Sequence, residues 1–188
     1  DEYGRELLLT RDQWRTNVLL GAIQSHRDDP EQLYITIVQA LRDGFRADIV
    51  AAAQHLYQTD PNKERAATVW AIVLMEEGRL GEAQTVLHDF ITQHGESGVI
   101  LTNLAKVFSK RGEDAQAEAT LWQALQLDPN QDNGMGWYGL IYKERGGDEA
   151  WLDAMRRVAA LPGSWRAQLW LARNALQEKR PQAAMDMY

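Results

Sequence analysis

The sequence predicts an all-α protein, an α-solenoid of antiparallel helix pairs built on a 34-residue repeat. Three observations carry this. Gly44, Gly78, Gly112 and Gly146 lie 34 residues apart, three times running. Apolar residues recur at helical spacing on either side of these glycines. Pro61 and Pro129 each sit 17 residues after a glycine of the series. A fixed period of this length marks stacked units, each of which buries its apolar face only against its neighbours.

The unit at 98–131 shows the logic. Leu101, Leu104, Ala105 and Phe108 follow the i, i+3, i+4, i+7 spacing of one helix face. Gly112 ends that helix, because the residue after the last turn takes positive φ, which glycine adopts without penalty. Ala117, Leu121, Ala124 and Leu125 form a second apolar stripe. Asp128-Pro129 stops it, since proline disfavours helix in the residue before it. Other columns keep the register. Ala83 and Ala117 follow their glycines by five; Ala71, Ala105 and Gly139 precede theirs by seven; Leu74, Phe108 and Tyr142 precede theirs by four. Small columns let helices approach, and large ones fill the gap.

These columns resemble the tetratricopeptide family, whose unit is a 34-residue helix pair with small, large, glycine, alanine and proline positions in this order. The best match is 98–131. Residues 64–97 match through Trp70-Ala71, Leu74, Gly78, Ala83 and Leu87, with Gly95 where proline is usual. Residues 30–63 keep Gly44 and Pro61 but carry Thr36-Ile37 and Ile49 at consensus positions. Residues 132–164 begin with Tyr138-Gly139, Tyr142 and Gly146; then Ala150 arrives one residue early and Trp151 takes the alanine column. A one-residue deletion restores the register afterwards. Residues 165–188 form a partial fifth unit with Ala172, Pro181, Ala184 and Tyr188. Residues 1–29 lack the motif but read as helix around Trp14, Val18, Leu19, Ala22 and Ile23, ending at Asp29-Pro30, a segment placed to cap the array of 30–188. The resemblance implies a right-handed superhelix. The pentatricopeptide RNA readers are also helix pairs, but their slightly longer period and basic groove fit this acidic chain less well.

Composition narrows the function. The 188 residues are 45% hydrophobic and 25% charged, with a formal net charge of -7. That balance disfavours nucleic-acid binding, which needs concentrated Lys and Arg. With no cysteine, thiolate catalysis and cysteine-bound zinc are excluded. No apolar run approaches the length of a membrane span, so no membrane insertion is expected. The expected setting is soluble, in cytoplasm or periplasm, of a bacterial protein. The start at Asp1 reads as a processed or excised piece.

Motifs that look chemical read better as structure. Gly134-Met135-Gly136-Trp137-Tyr138-Gly139 spells G-x-G-x-x-G, but a dinucleotide fingerprint needs a preceding strand, and here a helix and an Asp-Pro turn precede it. The run from Asp128 hints at a calcium loop, yet its sixth and twelfth places hold Asn133 and Gly139 rather than Gly and Glu. His26, His55, His88 and His94 form no metal-binding pair. Ser25, Ser97, Ser109 and Ser164 lack a nucleophile setting, and Glu76-Glu77 point to different helix faces. No catalytic, cofactor or metal residue is predicted, and the chain is not expected to be an enzyme.

The resemblance implies a concave groove lined by the first helix of each pair. Its expected residues are Thr68, Ile72 and Met75, then Thr102, Asn103, Lys106 and Ser109, then Gly136, Leu140 and Lys143, and finally Leu169 and Arg173. Trp137 and Trp170 share a column with Asn103 at the groove border. The mixture of apolar surface and cations fits a protein or peptide ligand with acidic side chains. Lys110, Arg111, Lys143 and Arg145 also sit at helix ends where the dipole favours cations. Family members that clamp a C-terminal carboxylate use Lys, Asn and Arg; here Tyr34, Val38, Val69 and Ile72 occupy the early clamp positions, so that constellation is missing. The predicted role is an interaction scaffold. The rivals are a regulatory or substrate-recruiting domain of a larger enzyme or secretion or assembly complex, and a homodimer formed through the stack ends.

Overall fold

Polar side chains placed just ahead of apolar runs start several of the helices. Thr10 forms a reciprocal capping box with Gln13, Asp29 accepts from the Glu31 and Gln32 amides, Asn62 from Arg65 and Ser97 from Ile100. The computed structural model describes residues 9–185, which contain helices and turns and no strand. They fall into two compact units, Asp1–Val86 and Leu87–Tyr188.

In the first unit, α1 (Arg11–Trp14) runs through a π turn (Arg15–Leu19) into α2 (Leu20–Ser25). Then come α3 (Pro30–Arg42), a 3₁₀ turn (Ala47–Ile49), α4 (Val50–Thr59) and α5 (Lys63–Glu76), with α6 (Leu80–His94) crossing the division. Helix α2 packs on α3, α3 on α4 and α4 on α5. Leu33, Ile37, Ile49, Ala53 and Leu56 are buried between them. Of the apolar residues expected to define the first helix, Leu19 is buried while Val18 is 41% exposed. The π turn adds a residue to the helical repeat at this point and rotates the stripe. Trp14 stacks on Phe45 at 5.1 Å, and Arg15 pairs with Asp48.

Gly44 and Gly78 take φ of 78° and 74°, as the turn residue after a first helix requires. A buried carboxylate secures the next turn. Asp60 is fully buried and accepts from Arg65 Nε at 2.8 Å, Arg65 Nη2 at 3.1 Å and the Asn62 amide at 2.8 Å. Arg65 also reaches Glu31.

The second unit holds α7 (Gly98–Lys110), α8 (Asp114–Leu127), α9 (Asp132–Ala159), α10 (Arg166–Gln177) and α11 (Pro181–Met185). Helix α7 packs on α8 and α9, α8 on α9, α9 on α10, and α10 on α11. Their core is built from Leu121, Leu125, Met135, Tyr138, Met155 and Val158. Helix α9 is in effect two helices, broken at Gly146 and Gly147. The positive φ that the repeat register assigns to Gly146 falls instead on Gly147, at 72°. Asn130 ties two turns together: its Nδ2 donates to Gly163 O, and its Oδ1 accepts from the Trp165 and Arg166 amides. Tyr188 lies outside the described residues.

Candidate functional site

The residues expected to line a groove fall into three settings. In the first unit, Met75 is buried, while Thr68 and Ile72 on the same helix are half-buried. The Thr68 hydroxyl has no hydrogen-bond partner among the described residues. In the second unit, Thr102 and Asn103 are buried on α7, where Thr102 donates to Gln131 Oε1 at 2.5 Å and Asn103 Nδ2 donates to Val99 O at 2.9 Å. Lys106, one turn on, is half-buried, and burial pulls its ammonium below the usual lysine range. Ser109 and Gly136 are half-buried, and the other four positions are open. Leu140 and Leu169 are 51% and 38% exposed, and Lys143 and Arg173 are exposed beside them. Arg173 makes no ion pair or hydrogen bond among the described residues, whereas Lys143 pairs with Asp148 at 2.7 Å.

Two clefts open next to these residues. The first, of about 260 Å³, is lined by Lys143, Asp148, Trp151, Trp170, Arg173, Asn174 and Gln177. The second, of about 320 Å³, is lined by Ser109, Asp114, Ala117, Trp137, Ile141, Glu144 and Arg145. Glycines on α9 seat the indoles of the first. A Cβ on Gly136 would lie 3.6 Å from the Trp170 ring, and one on Gly139 would lie 2.8 Å from Trp151 Nε1. Gly134 faces Gln131 and Thr102 just as closely, with a Cβ there 2.5 Å from Gln131 Oε1. All three glycines of the G-x-G-x-x-G run are thus occupied by helix and side-chain packing.

Behind the second cleft, Arg145 is drawn to Glu118 at 2.6 Å, and Glu118 also accepts from the Tyr142 hydroxyl at 2.8 Å. Burial alone would raise the Glu118 carboxyl, but these hydrogen bonds outweigh it and hold it below its ordinary value. Arg157 donates to Tyr142 Oη at 2.9 Å and lies over the Trp122 ring at 5.0 Å. Burial pushes the neighbouring Tyr138 phenol far up, so it stays neutral. This network fixes the second-helix half of α9 against α8.

Of the residues named from the sequence, Lys143, Arg173 and Trp170 line the first cleft, and Ser109 and Trp137 the second. It missed Asp148, Asn174 and Gln177, and likewise Asp114 and Glu144. The repeat period itself was the signal, since the lining residues of one cleft map onto those of the other.

No protein-family model matches the sequence. Cellulose synthase operon protein C of Escherichia coli K12 is 29% identical over 119 residues, 61% of this chain and 10% of that protein. The chain therefore spans about a tenth of the length of the curated relatives it matches. Among solved structures, YrrB, described as a TPR protein with an unusual peptide-binding site, is 16% identical, covering 90% of this chain and 88% of that one with a TM-score of 0.48. A tetratricopeptide repeat protein from Parabacteroides merdae is 17% identical, covering 84% and 63% with a TM-score of 0.49. Among the described residues no helix is long and apolar enough to cross a membrane.

Proposed function

We propose that this chain, whose repeats are tetratricopeptide-type helix pairs, is an interaction scaffold that holds a peptide or partner protein along the first-helix face of its second unit. One observation carries the reading: that face keeps two cations without partners, Lys106 half-buried and Arg173 exposed, beside the exposed leucines Leu140 and Leu169. A partly desolvated ammonium with no counter-ion is unfavourable for folding, and an apolar-plus-cationic strip is what an amphipathic acidic ligand would cover. Ile72 and Thr68 give α5 a matching face in the first unit. We assign the chain no catalytic role.

The test is a pull-down from lysate of the source organism, using the full chain beside a Lys106→Gln/Arg173→Glu variant. A partner captured by the first and lost by the second, with helicity unchanged, supports the first-helix face as the site. Equal capture by both moves the site elsewhere on the molecule. A second reading makes the chain a recruiting domain within a larger enzyme or a secretion or assembly complex. It is favoured by the length of its Escherichia coli relative, of which it matches a tenth.

A further inference from the structure

The two clefts of the second unit are one cleft repeated. Ser109, Asp114 and Ala117 of one stand 34 residues before Lys143, Asp148 and Trp151 of the other. Trp137, Ile141 and Glu144 stand 33 residues before Trp170, Asn174 and Gln177, the step shortened by the one-residue deletion. Each cleft therefore presents an aspartate from the start of a second helix and an indole from the next first helix. What differs is charge. Lys143 and Arg173 outnumber Asp148 in one, while Asp114 and Glu144 outnumber Arg145 in the other. The internal pairs do not cancel this. Lys143 is spent on Asp148 and Arg145 on Glu118, which leaves Arg173 on one side, and Asp114 with Glu144 on the other, without an ion pair among the described residues.

We propose that these clefts read opposite charges on a single extended peptide, an acidic side chain at Arg173 and a basic one at Glu144. The proposal rests on the scaffold reading above and names the partner's chemistry. An indole in each cleft covers the aliphatic stem of the entering side chain. A ligand of uniform charge would gain at one cleft what it loses at the other, so repetition of the pocket with inverted charge selects a mixed pair in a fixed order. The spacing follows from the packing. Glu144 and Arg173 stand on adjacent packed helices about 8–10 Å apart and, since the counterpart of Glu144 is Gln177, about one turn apart along them, a diagonal that an extended chain at about 3.3 Å per residue covers in about three residues.

The experiment is titration calorimetry of the full chain with four synthetic peptides, carrying Glu and Lys three residues apart in either order, two Glu, or two Lys. One mixed order is expected to bind about tenfold tighter than the reverse and than both like-charged peptides. Arg173→Glu should abolish that preference and favour the two-Lys peptide, and Glu144→Lys should favour the two-Glu peptide; both side chains are exposed, and circular dichroism checks that helicity is kept. Equal affinity for both orders overturns the charge order while leaving a peptide groove standing. Tightest binding of the two-Glu peptide to the unaltered chain overturns it as well, in favour of a purely acidic ligand. No response to any of the four peptides overturns this proposal, while the pull-down above still decides the scaffold reading.

Discussion

The Trp151 indole occupies the space where a side chain at Gly139 would begin, since a Cβ there would fall 2.8 Å from Trp151 Nε1 and 3.0 Å from Met155 Cε. The repeat's small column and the aberrant tryptophan in its alanine column are two halves of one contact. Gly139→Ala should therefore destabilise the protein by about 1–3 kcal/mol through overpacking. Gly81→Ala, in a helix with nothing within 4 Å of the added carbon, should stabilise it by about 0.5–1 kcal/mol. Urea denaturation of the two variants reads both signs. A gain of similar size at both positions would mean that helix propensity and not the indole decides.

The buried ion pair of the first unit gives a larger effect. Asp60 is fully buried and Arg65 supplies two of its hydrogen bonds. Arg65→Leu strands a carboxylate away from water and should cost about 3–5 kcal/mol. Adding Asp60→Asn should return part of that loss, because a neutral amide is far less expensive to bury than a charge. Thermal melts of the single and double variants check this. A double variant no more stable than the single one would show that Arg65 acts through packing, not charge.

The residues that were legible are those whose role is local or periodic. Gly44, Gly78 and Gly112 repeat at one spacing because each ends a helix with the same positive φ, and a chain meets that demand in only one cheap way. The position failed at Gly146 because a second glycine follows it, and either could take the turn. The apolar columns were legible for the same reason, whereas the bonding of Asp60 to Arg65 and of Asn130 to Gly163 was not. Those polar residues sit in turns where many partners are in reach, and only the packed geometry selects one. At the candidate site, Lys143 and Arg173 stood out by charge on a helix face. Asp148, Glu144 and Gln177 became visible only when the clefts were compared at one repeat's offset.

Three carboxylates are held below their ordinary values, and with Glu82 open to solvent the other two, Asp48 and Glu118, set the acid limb of stability. Asp48 is held low mainly by its hydrogen bonds from Arg15, and Glu118 by Arg145 and Tyr142 against the opposing effect of burial. A carboxylate whose folded pKa lies below its unfolded value contributes stability above the unfolded pKa and loses it as pH falls through the folded one. Melting temperature should hold steady down to about pH 5 and fall below about pH 4. Glu118→Gln should flatten part of that fall. If its acid limb overlays that of the unaltered chain, the Glu118 network is not linked to folding.

Lys106 has the opposite sign. Burial lowers its folded pKa, so its charge opposes folding at neutral pH, and that penalty fades as pH rises through the folded value towards the unfolded one. Lys106→Met keeps the apolar stem and removes the charge. It should stabilise the protein by about 1 kcal/mol at pH 7, and the gain should shrink in melts above about pH 10. The same variant should weaken any partner held on the first-helix face, because an ammonium retained against its own desolvation is best explained by the counter-ion a ligand brings. Stability gained together with binding lost would identify Lys106 as a residue kept for recognition. Stability lost on the substitution would show that the ammonium already contributes to the fold, and would remove Lys106 from the site.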